Sequence, residues 1–105
     1  DDAILRCSWP IELHDRREGV HWEEFPAGHI HTVPFRSLTP PGADNLVAVG
    51  RCIDADPVAL SSVRVMGPCI AMGAAAAHGL DLAGSGSVHQ IDLAALRGRL
   101  AENLG

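Results

Sequence analysis

Apolar and polar positions alternate in the first third of the chain and shift to a helical period in the last half. Residues Ala3–Cys7 fit a short strand. Residues 8–28 are polar and broken by Pro10, Gly19, Pro26 and Gly28, which reads as a loop or a ragged hairpin. Residues 29–38 alternate again. Ile30, Thr32, Pro34 and Arg36 share one side, and His31, Val33, Phe35 and Ser37 share the other. This predicts a strand, with Pro34 placing it at an edge or a bend because proline has no N–H for a ladder. A turn follows over 39–44. Residues 45–50 (NLVAVG) form a continuous apolar run, the length of a strand buried on both faces of a parallel sheet.

Residues 58–63 suit a short helical turn. A longer helix is expected from Gly67 as N-cap and Pro68 at the first helical position, with Cys69, Met72, Gly73 and Ala76 on one face and Gly79 ending it. The 84–87 stretch (GSGS) reads as flexible. Asp92 is a good N-cap for a last helix, with Ile91 and Leu96 as a hydrophobic staple and Leu93, Leu96, Leu100 and Leu104 as its buried stripe. The pattern is α/β, with few strands and two to three helices. Residues 1–44 form a strand and loop segment, and 45–105 form a strand–helix segment of the same single unit.

The chain has 105 residues, enough for one small domain. Hydrophobic residues make up 47% but aromatics only 4%, so the core is built of small side chains and is expected to be marginal alone. A second copy or a larger body would complete it, and an uncovered strand edge would let the isolated chain pair as a homodimer. The net charge is -5 and no basic stripe is interleaved with aromatics, which argues against a nucleic-acid partner. No apolar run is long enough for a membrane span. Cys7, Cys52 and Cys69 form no C-x-x-C, so structural thiols in a reducing cytoplasm are expected. The use of Arg in place of Lys at every basic position fits a GC-rich bacterial genome.

Chemistry concentrates between residues 45 and 79. A strand ending in Gly50 lets backbone approach a ligand, Arg51 offers charge and donors to an anion, and the start of the following helix offers free N–H groups. That end suits an anionic group. Small residues at Gly73, Ala74 and Ala77 would let the helix lie close to a sheet or ring.

The strings Val33-Pro34-Phe35-Arg36-Ser37-Leu38-Thr39-Pro40, Asp44-Asn45-Leu46-Val47-Ala48-Val49-Gly50-Arg51-Cys52-Ile53 and Ser62-Val63-Arg64-Val65-Met66-Gly67-Pro68-Cys69-Ile70-Ala71-Met72-Gly73 resemble the C-terminal part of FAD-dependent oxidoreductases. The class is that of the glutathione-reductase-like flavoproteins, and Trp9-Pro10-Ile11-Glu12-Leu13-His14-Asp15 is similar to the segment just before. The resemblance runs from about Trp9 to Gly79. It implies a C-terminal fragment of a Rossmann-like FAD/NAD(P)-binding fold that closes over the flavin, with FAD as cofactor of the complete protein and a small organic molecule as substrate. It places Gly50 and Arg51 beside the ribityl-phosphate portion, and Val65, Met66, Gly67, Pro68 and Cys69 against the pyrimidine edge of the flavin ring. Arg36 and Arg64 would lie near the flavin or the substrate chamber, and His14 beside that chamber, as candidate catalytic groups.

Two departures bear on this. Phe35 stands where the family usually has Tyr. No G-x-G-x-x-G occurs anywhere in the sequence, and that fingerprint cradles the pyrophosphate. The chain alone is therefore expected to lack bound FAD and activity, and to need an N-terminal dinucleotide-binding portion as partner.

Plainer readings stand beside these. His14-Asp15 is either a catalytic pair or a loop histidine and its neighbour. Arg51 and Arg64 either serve a cofactor or pair with Asp54, Asp56 or Glu12. His29 and His31 share a strand face and could bind metal with His14 or His21, but exposed histidines on a polar edge are commoner, and no metal site is assigned. The rival function is a small non-catalytic domain binding a partner or a metal through its His-rich N-terminal third.

Overall fold

The computed structural model describes residues 2–104. Strands β1 (Ala3–Cys7), β2 (Ile11–Asp15), β3 (Gly19–Glu23) and β4 (His31–Pro34) precede helices α1 (Pro57–Val63), α2 (Met66–Ala83), α3 (Leu93–Arg99) and α4 (Ala101–Leu104). β1 pairs antiparallel with β4, and β2 with β3, as two separate two-stranded sheets. The mixture of strands and helices agrees with the sequence.

Helix ends follow local chemistry. Asp56 caps α1 by accepting from Ala59 N at 2.7 Å, with Pro57 in the first turn. Asp92 caps α3 as expected, accepting from Ala94 N and Ala95 N. The last helical stretch breaks at Leu100, whose N–H is shared between Leu96 O and Arg97 O. Leu96 and Leu100 are buried, but Leu93 is 36% exposed, so the expected four-leucine stripe is shorter.

α2 differs from its expected form at both ends. Its N-cap is Val65, not Gly67, and Pro68 occupies the third helical position. Gly79 does not end the helix. It is buried in the C-terminal part of the helix because the Phe35 ring packs against it, and Gly84, at φ +54°, supplies the stop. The buried face is Met72, Ala75 and Gly79, while Gly73, Ala74 and Ala77 face outward.

Residues 29–38 also divide. β4 ends at Pro34, Phe35 N closes the β1–β4 pairing with a bond to Asp2 O at 2.7 Å, and Phe35–Ser37 then turn as a 3-10 helix closed by Leu38 N on Phe35 O at 2.9 Å. The apolar run at 45–50 is not a buried strand. Leu46 is 55% exposed, and a bond from Ala48 N to Leu38 O ties the run to the fold without a strand ladder. A strand buried on both faces needs neighbours on both edges, and among the described residues none lies alongside. Ser87, expected in a flexible stretch, instead bonds Asp44 Oδ1 at 2.9 Å.

The core joins both parts of the chain: Ile4, Leu5, Val33, Phe35 and Leu38 meet Ile53, Met72, Ala75, Leu96 and Leu100. No single helix among the described residues is long and apolar enough to cross a membrane.

Candidate functional site

α1 and α2 meet at a bend of 92°, and Arg64 sits at the corner. Arg64 caps α1 through its backbone, its N–H bonding Leu60 O at 3.0 Å. Its side chain reaches back to the β2–β3 hairpin, donating to Glu12 O at 3.0 Å and Glu12 Oε2 at 3.1 Å. The same carboxylate oxygen lies 2.9 Å from His14 Nε2. Strand alternation puts Glu12 and His14 on one face of β2, so both reach the same side.

The His14 hydrogen bond holds the Glu12 carboxyl below the usual glutamate range, with help from Arg64 and against a smaller opposing effect of burial. An ionised Glu12 accepts the Nε2 hydrogen, and in the neutral imidazole this leaves the lone pair on His14 Nδ1, which has no partner among the described residues. Carboxylate, imidazole and guanidinium thus form a chain anchored on a helix corner. It borders a groove of about 390 Å³ that also contains Arg51 and Ser61. Arg51 has no ion-pair partner among the described residues. Asp15, the expected partner of His14, instead closes the hairpin turn by accepting from Arg17 N and Glu18 N. Glu12 was legible as a possible partner of Arg64, but its link to His14 follows from the i, i+2 spacing and is visible only once the hairpin is formed.

The start of α2 lies on the other side of Arg64. Val65 is extended and gives no side-chain cap, so the N–H groups of Met66 and Gly67 stay free of the helix ladder. They border a second groove, of about 770 Å³, lined also by Trp9, Arg64, Val65 and Pro68. Cys69 turns inward, its Sγ donating to Arg64 O at 3.2 Å. Gly50 adopts φ +65°, and its N–H points at Met72 Sδ, 3.2 Å away. A Cβ at Gly50 would stand 3.6 Å from Cys69 Sγ. The glycine therefore serves the turn and its packing on α2 at the same time. Arg36 stands apart, bound to Asp2 Oδ1 at 2.6 Å, and it lines neither groove. Of the sequence-predicted residues, His14, Arg51 and Arg64 share one groove. Val65, Met66, Gly67 and Pro68 share the other, with Arg64 common to both.

The chain matches the family model described as "FAD dependent oxidoreductase" over residues 1–100. It belongs to that family. No curated protein and no solved structure matches it. As a member of the FAD-dependent oxidoreductases, it is part of a protein whose cofactor is FAD. The donor set at the start of α2 fits that group. Two free N–H groups at the positive end of an 18-residue helix favour the anionic character of a reduced flavin, and no acidic side chain stands in the first turn.

Proposed function

We propose that this chain is the flavin-closing, C-terminal part of a glutathione-reductase-like FAD-dependent oxidoreductase acting on a small organic substrate. When bound, FAD supplies the hydride acceptor. The chain's own residues have three roles in this reading. Met66 and Gly67 direct their N–H groups at the pyrimidine edge of the flavin, and Gly50 and Arg51 stand beside its ribityl-phosphate portion. His14 takes the substrate proton at Nδ1 as general base, held by Glu12. Arg64 positions Glu12 and, at the same corner, the start of α2.

The observation that carries the reading is Arg64 itself. One residue bonds the Glu12–His14 pair and borders the uncapped helix start, so the base and the flavin side are built on a single corner. The remaining dinucleotide-binding portion has two surfaces to meet. One is the unladdered apolar run at 45–49, suited to join a Rossmann-like sheet. The other is the bare face of α2, where Met66 is 81% and Ile70 73% exposed.

The test is His14→Gln in the full-length protein. General-base loss predicts a fall in kcat of about 10²–10⁴-fold with flavin content unchanged. A kcat within about twofold of wild type would remove His14 from the chemistry.

A further inference from the structure

Outside the flavin-side grooves, the densest cluster of ligating side chains is at the start of β4. His29 Nε2 and His31 Nδ1 face each other at 3.1 Å. His31 Nε2 lies 3.0 Å from Ser62 Oγ, and that hydroxyl donates to Trp9 O at 2.6 Å. The donors therefore run in one direction. With the Ser62 proton committed to Trp9 O, His31 Nε2 must carry a hydrogen, and its Nδ1 is a lone pair. The Phe25 ring stacks on His29 with centroids 4.1 Å apart.

We propose that His29 and His31 chelate a borderline divalent cation of the Zn²⁺ or Ni²⁺ type. Metal–imidazole bonds of about 2.0–2.1 Å combined with the 3.1 Å nitrogen separation give an N–metal–N angle of roughly 100°, between octahedral and tetrahedral values. The cation takes the place of the hydrogen shared by the two rings. The His29 proton moves through solvent from Nε2 to Nδ1, and each ring turns to aim its lone pair at the ion. The bond from His31 to Ser62 supplies the outer contact that orients a ligating imidazole and fixes its tautomer. Both rings border a cavity of about 570 Å³ that leaves room for water ligands. No cluster of three or more His, Cys, Asp or Glu side chains suited to a metal forms among the described residues, so water completes the shell and the affinity is modest.

The test is a Ni²⁺ titration by calorimetry in reducing buffer. One ion per chain is expected, with affinity reduced at least about tenfold in His29→Gln and in His31→Gln and unchanged in His21→Gln. Because His31→Gln also breaks the Ser62 bond, a second measurement uses the unaltered protein. Substoichiometric Ni²⁺ should broaden the His29 and His31 imidazole resonances before those of any other histidine. Broadening that begins elsewhere, variant titrations that match the wild type, or no binding at millimolar Ni²⁺ would each overturn the site. Since these readouts use no flavin, they stand or fall independently of the oxidoreductase reading.

Discussion

The tip of the Phe35 ring presses on the backbone of Gly79: a Cβ built there would stand 2.7 Å from Phe35 Cζ and 2.9 Å from Cε1. Phe35 follows β4 and Gly79 lies in the C-terminal part of α2, so this contact sets how close helix and sheet approach. Gly79→Ala should destabilise the fold by about 1–3 kcal/mol, although alanine is the better helix former, because the ring is buried and has no free space. Denaturant unfolding would measure the change, and an unchanged or raised midpoint would contradict this packing.

Leu96 and Leu93 lie one turn apart on α3 and should respond differently. Leu96 is fully buried, so Leu96→Ala should lose about 2–5 kcal/mol. Leu93 is 36% exposed, and Leu93→Ala should lose about 1 kcal/mol or less. Equal losses would restore the four-leucine stripe.

How much was legible in the sequence follows from how local each signal is. The caps Asp56 and Asp92 act within three residues, and Asp92 was readable directly. The face of α2 was not, because from Met66 to Ala77 the helix has only apolar and glycine residues, which do not tell a buried side from a bare one. Met72 was placed correctly, but Gly73 faces out and Ala75 faces in. The run at 45–50 has strand composition without the neighbouring strands that would make it one. In the candidate site, His14, Arg51 and Arg64 were legible through the family resemblance. Grouping them required the 92° bend, which depends on how α1 and α2 pack. Arg36 was grouped with them by resemblance alone, and the ion pair with Asp2 holds it elsewhere.

The Glu12 carboxyl is held low chiefly by the His14 hydrogen bond and also by Arg64. A lowered carboxylate pKa contributes stability that is present above the unfolded-state value and is lost as pH falls through the folded one. A carboxyl NMR titration should therefore find the Glu12 midpoint below the usual glutamate range. His14→Gln should move it upward. A midpoint indifferent to His14 would dissolve the Arg64–Glu12–His14 chain.

His31 gives the opposite protonation case with the same direction of pH dependence. Its pKa is lowered by burial and by His29, so the unfolded chain binds the proton more tightly than the native one. Stability is full above the ordinary histidine value, declines as pH falls below it, and levels off beneath the lowered folded value. Unfolding curves across that window should show the decline. His31→Gln should flatten it, and an equal slope in the variant would assign the effect to another group.

The flavin-to-protein absorbance ratio of the full-length protein with Gly67→Glu, set against Gly67→Ala, tests the account at its centre. A side chain at Gly67 meets nothing within 4 Å, so both variants should fold. The carboxylate places negative charge at the free N–H groups of α2 and should reduce flavin content roughly tenfold, whereas alanine should keep it near wild type. Full flavin occupancy in Gly67→Glu would contradict the placement of the cofactor at this helix start.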